Sequence, residues 1–558
     1  MSALLYPAST LDAVSATQRV GDFARAKESP IVSPWAADVI AKTTREGRAR
    51  VWVYFTDKGF TSQAGLAAAV QKAESRLTAR AVARRSKMGR ASVEFIDLPV
   101  NAVYVEQVRG LGGQWRSISR WLNAASFDVE VSRLGEITSL PFVARVAPMI
   151  GMKREPVVTG DVKPSPIVSP PKSAGSETID YGFSLDQLTQ INVPAVHNIG
   201  FKGQGVLVCM IDTGYRKDHT TFAQAYAEGR VIAEHDFIFD DGNTQDEPED
   251  AAGQNNHGTY CWSTLGGAAD GLLYGPAFKA DFILAKTEDI RSETPIEEDY
   301  WVEAMEWADS IGAQVISTSL GYTDWYTYAD KNGDICVTTV AADLAAALGI
   351  VVCVSNGNAG SSPGTMNAPA DGDSVVAVGA VSSSGVIASF SSRGPTFDGR
   401  IKPEVCARGV STYCANPSNP LLTTTASGTS LSCPLVGGCA AVLLSAHPNW
   451  TPMQVREALM MTASQSATPD NNYGWGIVNL LAALTYNQSF LPGDLNYDGF
   501  VDALDLALEI DIVYFDLAYP PPPASPDLNL DGVVNSPDVV LLIDYVFRGG
   551  VPPPYPTN

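Results

Sequence analysis

Four short segments of this 558-residue chain set chemically complementary side chains at the ends of apolar runs. Val208–Gly214 (VCMIDTG) delivers Asp212 at its end, and Asn256–Thr259 (NHGT) opens a helical pattern with His257 in the first turn. Ser427–Pro434 (SGTSLSCP) is a glycine-containing turn that puts Ser430 at a helix start, and Ser355–Gly360 (SNGNAG) follows the run IVVCV and presents Asn358. A serine hydroxyl is a weak nucleophile and needs a base that works near neutral pH, which imidazole supplies. The imidazole needs a carboxylate on its other nitrogen to fix its tautomer and tolerate its transient charge. A backbone N–H at a helix start, together with a side-chain amide, can hold the oxyanion of a tetrahedral intermediate. Asp212, His257, Ser430 and Asn358 are therefore candidates for acyl-transfer chemistry. Each motif alone is commonplace, and it is their joint occurrence over one α/β stretch that carries the reading. His197, His219, His235 and His447 lack such a context and read as structural or surface residues.

The elements that must position these groups show in the pattern. From about residue 180 to 487, the apolar strands GVLVCMID, FILAKT, AQVISTSL, IVVCVSN and SVVAVGAV alternate with helical segments. Near-continuous apolar strands of this kind predict an α/β fold, a doubly wound parallel sheet buried on both faces, with active groups where strands end. Residues 49–154 predict a small α+β domain: strand Arg50–Thr56, helix Gly65–Lys87, helix Val103–Arg109, a largely extended Trp115–Val129, helix Val131–Leu140 and strand Phe142–Pro148. Residues 1–48 show little pattern and read as a loosely ordered leader, and 155–179, rich in Pro and Ser, as a solvated linker open to processing.

The tail, residues 493–550, is an internal repeat: GDLNYDGFVDALD and PDLNLDGVVNSPD place their first Asp at 494 and 527, an offset of 33. D-x-N-x-D-G sets hard oxygen donors at alternate positions around a sharp turn, as a Ca²⁺ loop requires. One calcium would be held by Asp494, Asn496, Asp498, Asp502, Asp505 and the carbonyl of Phe500, the other by Asp527, Asn529, Asp531, Asn535, Asp538 and the carbonyl of Val533. Each loop is followed by an apolar helix, making a small all-α unit. In the α/β region the run Phe239–Asp250 (FDDGNTQDEPED) is either a solvated acidic loop or a further calcium site, and Asp330–Asp334 (DKNGD) has half the same loop pattern.

Composition narrows the partners. The chain is 45% hydrophobic and 18% charged, enough for sizeable cores, and its net charge of −23 weighs against nucleic acid or an anionic membrane. About half of all Lys and Arg lie between roughly residues 40 and 155, so a basic leader faces an acidic remainder. Eight cysteines without CxxC spacing form neither a disulfide scaffold nor a zinc site. Cys209 and Cys353, in apolar runs, read as buried thiols, while Cys406 and Cys414 are the pair that spacing would allow to bridge. No apolar run appears long enough for a bilayer span. The first residues lack a positive n-region and a cleavage site, so an export signal is either outside this numbering or absent.

In the order Asp, His, Ser, the motifs resemble those of the subtilisin-like serine peptidases, over roughly residues 180–487. GPAFKADFILAK resembles the strand after the catalytic-His helix, and FSSRGP with IKPEV the stretch leading to the nucleophile. VISTSLGY resembles the edge that pairs with substrate backbone, putting Ser319, Leu320 and Gly321 beside the specificity pocket. The resemblance implies a secreted serine endopeptidase with Asp212, His257 and Ser430 as triad, Asn358 as oxyanion donor and an acyl-enzyme intermediate. Residues 49–154 resemble, in position and layout, the family's autoprocessed and inhibitory pro-domain. Leu431-Ser432-Cys433 stand where Met-Ala-Thr is commonest, and Arg408 where Pro is frequent; these alter the pocket's surroundings and remove no catalytic group. Cys261 lies one helical turn from His257, as in a subgroup of the family.

The tail resembles type I dockerins, with Asp at the twelfth loop position and only an exit helix. That brings a cohesin-like partner into view, although Ala503-Leu504 and Ser536-Pro537 do not carry the matched polar pairs of cohesin-reading dockerins. Two other functions compete: a catalytically idle, calcium-dependent binding or cell-surface module, and a non-peptidase acyl hydrolase with the same machinery.

Overall fold

The apolar runs hydrogen-bond edge to edge into a seven-stranded sheet, in the order Val405–Arg408, Val376–Val381, Val351–Ser355, Val315–Thr318, Leu207–Asp212, Asp281–Lys286, Val231–Asp236. Every pairing is parallel. The computed structural model describes residues 31–149, 158–159, 179–291, 297–322, 326–486, 493–495, 501–515, 526–530, 533–551 and 553. Strand Leu207–Asp212 shows why both faces are apolar. Val208 and Met210 enter one core with Trp262 and Leu435, while Leu207, Cys209 and Ile211 enter the other with Trp301 and Ile316. Alternating side chains point to opposite faces, so a sheet covered on both sides needs an unbroken apolar run. Helices Asn256–Gly266, Thr429–Ala446, Pro452–Met461 and Leu480–Leu484 contribute to the first core, and Glu297–Ile311 and Val337–Ala347 to the second. The winding reverses at Leu207–Asp212: strands 231–236 and 281–286 lie to one side, and all later ones to the other. A crevice at the carboxyl end of such a switch point is where α/β folds place their sites, and Asp212 ends this strand.

Ahead of this domain, strands Gln114–Ser119, Ala124–Glu130, Arg48–Phe55 and Val143–Pro148 form an antiparallel four-stranded sheet in that order. Its two faces serve two purposes. Val51, Val53 and Phe55 fill the domain's own core, whereas Trp52 and Tyr54, pointing the other way, join Trp301 and Met305 in the second core of the large domain. The small domain is thus welded by its sheet to helix Glu297–Ile311.

Several expectations need correction. The leader does not run unpatterned to residue 48: helix Pro34–Thr43 is capped by Ser33, whose side chain accepts from the N–H of Ala36, and Ile40 enters the small domain's core. The expected helix Gly65–Lys87 is two helices, Gln63–Glu74 and Ala79–Lys87, whereas the extended stretch Trp115–Val129 is strand as expected, in the pair Gln114–Ser119 and Ala124–Glu130. All eight cysteines are free and buried; Cys406 lies in the large sheet and Cys414 in a separate small one. Helix Thr429–Ala446 is long and apolar enough to cross a bilayer, against expectation, but it is a core helix, 89% buried. Asp330, the first residue of the half-pattern Asp330–Asp334, closes a capped turn by accepting from the backbone N–H and hydroxyl of Thr327.

Candidate active site

Asp212 is fully buried at the end of its strand. Its Oδ1 accepts from the N–H of Thr213 at 2.7 Å and lies 2.6 Å from His257 Nδ1. Burial alone would push this carboxyl up, but His257 and the Thr213 N–H outweigh it and hold it below the usual range. His257 reaches Asp212 because the next residue has no side chain. A Cβ on Gly258 would stand 2.2 Å from the Gly214 carbonyl oxygen and 3.1 Å from Asp212 Cβ, so glycine permits the helix to lie against the DTG turn.

Ser430 sits in the first turn of Thr429–Ala446. Its hydroxyl donates to the Ser319 carbonyl at 3.3 Å, and the Ser319 hydroxyl donates to the Ser430 carbonyl at 3.0 Å. Cys261 joins the two halves: its Sγ is 3.8 Å from His257 Nδ1 and 3.3 Å from the Ser430 carbonyl oxygen. Burial and the nearby Asp212 push this thiol well up, so it stays protonated. Asn358 lies over the Gly428–Ser430 turn, its amide oxygen accepting from both the N–H (2.8 Å) and the hydroxyl (3.0 Å) of Thr429. Thr429 also accepts from the N–H of Gly357 at 3.2 Å. It is the bracket that fixes the Asn358 loop, a role its place beside Ser430 in the GTS motif could have suggested. The sequence candidates Asp212, His257, Ser430, Asn358 and Ser319 are thus brought together, with Leu320 buried and Gly321 half-buried alongside.

A short strand, Val158–Thr159, pairs antiparallel with Ser427 and Ala426, at the entry to the Ser430 turn. Farther away, the small domain meets a row of carboxylates that the sequence reading passed over. Asp299, Glu303, Glu306 and Asp309 recur at the spacing that puts them on one face of helix Glu297–Ile311. Asp299 accepts from Arg116 Nε (3.2 Å) and the Ser126 hydroxyl (2.9 Å), and Glu303 from the Ser117 hydroxyl. Glu306 accepts from the Ser119 hydroxyl (2.7 Å), Arg120 Nε (2.8 Å) and the Trp121 N–H (3.1 Å). Asp309 is paired with both Arg84 and Arg85. Arg84 further donates to the carbonyls of Ala313 (2.6 Å) and Leu348 (3.1 Å), which follow the ends of helices Glu297–Ile311 and Val337–Ala347. Gly312 leaves the room, since a Cβ there would stand 2.5 Å from Arg80 Cβ.

In the tail, Asp505 accepts from the N–H groups of Leu495 (2.7 Å) and Asp502 (2.8 Å), and Asp538 from Leu528 (2.8 Å), Asn529 (3.1 Å) and Asn535 (2.9 Å). Each twelfth-position carboxylate thereby ties the start of its loop to its end. A carboxylate has about four acceptor sites, so this closure is compatible with metal ligation, and the all-oxygen donor set fits calcium. Asn496, Asp498, Phe500 and Asp531 lie outside the described residues. Asp236, at the end of strand Val231–Asp236, and Asp241 and Glu247 of the acidic run that follows it offer oxygens within 4.8 Å of one another. Buried Lys286 reaches Asp236 at 2.8 Å and Asp250 at 2.7 Å, so the run meets a cation of the protein's own.

The sequence model of the subtilase family, peptidase S8, matches residues 203–476. That of the peptidase S8 propeptide domain of Bacteroidota matches 50–159, and that of the dockerin type I domain 492–547. The chain is 33% identical to subtilisin E of Bacillus subtilis over 311 residues, 55% of this chain and 72% of that enzyme. It is 32% identical to the serine protease AprX of Bacillus subtilis over 307 residues, 50% of this chain and 65% of AprX. Among solved structures, fervidolysin from Fervidobacterium pennivorans, a keratinolytic enzyme related to subtilisin, superposes with a TM-score of 0.56 at 21% identity, covering 80% of this chain and 63% of fervidolysin. At that identity the likeness bears on the fold alone, and the chain spans just under two thirds of AprX and of fervidolysin. The sheet, the order of the motifs and these relatives agree: the chain belongs to the subtilase family of serine-type endopeptidases.

Proposed function

We propose that the chain is a secreted, self-processing endopeptidase in which Ser430 is the nucleophile, His257 the general base and Asp212 the group that orients it. The observation that carries this is the 2.6 Å contact between Asp212 and His257 Nδ1 beside a serine at a helix start. With Nδ1 committed to the carboxylate, Nε2 is left to take the Ser430 proton as the hydroxyl oxygen attacks a peptide carbonyl. The oxyanion is met by the Ser430 N–H and the Asn358 amide. His257 then passes the proton to the departing amine, leaving an acyl-serine that water hydrolyses by the same steps in reverse order of roles.

Substrate backbone would run along Ser319–Gly321 on the acyl side and along Ser427 on the leaving side. The pairing of Val158 and Thr159 with Ser427 and Ala426 supports the second half of that path. The segment that follows the small domain thus pairs at the entry to the Ser430 turn, which supports release of the pro-domain by the enzyme itself. Residues 180–487 form the catalytic domain in this reading. The tail, 493–550, would hold two Ca²⁺ through the ligands named above, calcium supplying charge compensation that lets the clustered carboxylates fold together. A cohesin-like protein is its candidate partner.

Incubating the processed protein with casein, with and without a serine-directed phosphonate, tests the function. Ser430→Ala should fold, stay a single uncleaved chain and lose about 10⁶ in kcat. A loss of only tenfold would overturn the assignment.

A further inference from the structure

Strand Asp281–Lys286 ends in a charge that the triad chemistry leaves unused. Lys286 lies in register with Asp212 on one side and with Asp236 on the other, so three neighbouring strand ends carry a carboxylate, an ammonium and a carboxylate in a row. The Lys286 side chain is fully buried, and its Nζ reaches Asp236 Oδ2 at 2.8 Å and Asp250 Oδ2 at 2.7 Å. Burial works against the charge, but the two carboxylates outweigh it and keep the ammonium protonated. The stem runs close to the turn that follows Asp212: a Cβ on Gly214 would stand 3.4 Å from Lys286 Cδ and 3.6 Å from Asn255 Cα. What the ammonium grips leads on to the base. Asp250 also accepts from the Glu247 N–H at 2.9 Å, and Asp246 accepts from the Asn255 N–H at 2.7 Å. Asn255 is the residue before helix Asn256–Gly266. Gln254 ties the same loop to the sheet, donating to the carbonyls of Thr213 (2.7 Å) and Glu288. Asp241, Asp246, Glu247 and Asp250 crowd this loop, and like charges at such density repel one another unless a cation stands among them.

We propose that Lys286 is a positioning residue of the triad: its ammonium, standing where an acidic loop would otherwise need a metal cation, pins residues 246–255 to the sheet and so holds the helix that carries His257 against Asp212. This rests on the triad reading above. Lys286 touches neither substrate nor the reacting atoms and acts through Asp250 and the loop. A covalently attached cation cannot be removed by a chelator. The catalytic geometry is therefore independent of calcium at this loop, in contrast to the tail, whose clustered carboxylates have the ion alone to offset them.

The test compares the full-length, self-processed enzyme with its Lys286→Ala variant on one peptide anilide, in EDTA and at about 1 mM Ca²⁺. In EDTA, Lys286→Ala should lower kcat by about 10², the scale of a small misplacement at a reacting centre, with KM changed less than about threefold. Ca²⁺, entering among the freed carboxylates, should recover at least about tenfold of that loss. The unmutated enzyme carries the same tail and should show no change in kcat with Ca²⁺, which separates rescue at the loop from binding at the tail. If Lys286→Ala does not fold, the near-isosteric Asp250→Asn decides: it loosens the loop while Lys286 keeps Asp236, and kcat should fall at least about fivefold at unchanged KM. Unaltered kcat in the variant that folds, or a loss in Lys286→Ala that Ca²⁺ does not relieve, would overturn the proposal. Full activity surviving Ser430→Ala would overturn the triad reading instead, so the two failures are distinguishable.

Discussion

Asp212 and Asp309 are both buried carboxylates held by nitrogen bases, and they answer to different rules. Asp212 meets His257 within one domain, through two motifs that meet at a glycine. Asp309, its side chain 2% exposed, meets Arg84 and Arg85, 3% and 0% exposed, across a junction with another domain. The first pair persists as long as the catalytic domain is folded. The second exists only while the basic domain is seated. A buried ion pair is a weak source of net stability, but loss of one partner leaves a charge stranded. The same contact that favours the assembled precursor therefore becomes a liability in the separated enzyme unless water reaches it.

That contrast can be broken at either end. Asp212→Asn should lower kcat by about 10⁴, the scale of such an exchange in a triad, while thermal unfolding of the processed enzyme changes little. A fall of less than tenfold would show that His257 does not depend on this carboxylate. Asp309→Ala should do the reverse: in the unprocessed chain carrying Ser430→Ala it strands buried Arg84, while Arg85 keeps Asp97 at 2.6 Å, and costs about 3–5 kcal/mol of stability by denaturant titration. The processed variant should keep its kcat. If the precursor is unaffected, the junction is not held there.

A smaller effect concerns protons. Burial beneath the pro-domain, only partly offset by Arg116 and Ser126, raises Asp299 to about 7. Burial, opposed by the Ser117 hydroxyl and reinforced by Asp299, raises half-buried Glu303 to about 7. On the separated enzyme this helix face is open to water and both groups return towards the ordinary carboxylate value of about 4. The complex thus binds protons that its parts do not. Association is strongest at low pH, weakens as pH rises from about 4 through 7, and levels off above about 8. Inhibition by the cleaved pro-domain should fall at least about tenfold between pH 5.5 and 8, and Glu303→Gln should flatten the profile. A profile that is already flat, or that rises with pH, would refute the linkage. Removing calcium should have the least effect on catalysis. Asp538→Ala should abolish one of the calcium-binding events seen by calorimetry and lower the tail's helical content, with peptide hydrolysis at 25 °C unchanged; a retained second site would show that this loop does not bind the ion.

The readable and unreadable parts of this sequence differ for a physical reason. The large sheet was legible because Leu207–Asp212 must be apolar on both faces, and the catalytic candidates because motif and strand end coincide. The break between helices Gln63–Glu74 and Ala79–Lys87 was not, since neither Gly nor Pro marks it. Thr78 breaks the helix by bonding to another domain, its N–H to the Ser310 carbonyl at 3.0 Å and its hydroxyl to that of Ile311 at 2.6 Å. The carboxylate row on helix Glu297–Ile311 was visible as spacing, but acids on a helix face ordinarily point to water, and their partners lie about two hundred residues away. The helix at Pro34 carried a signal, the Ser33 cap followed by Pro34, that reading residues 1–48 as unpatterned passed over.

Arg84 makes the junction more than an adhesive. Its guanidinium is a planar fork of fixed dimensions, and it touches the carbonyls of Ala313 and Leu348, one from each of two neighbouring helix ends, together with Asp309. A rigid fork that must reach both helix ends at once works as a caliper. A catalytic domain in which those helices sit too far apart, or one turn out of register, cannot close on it. The pro-domain would then grip only a correctly assembled sheet-and-helix layer, so that quality control of folding comes before any peptide bond is cut.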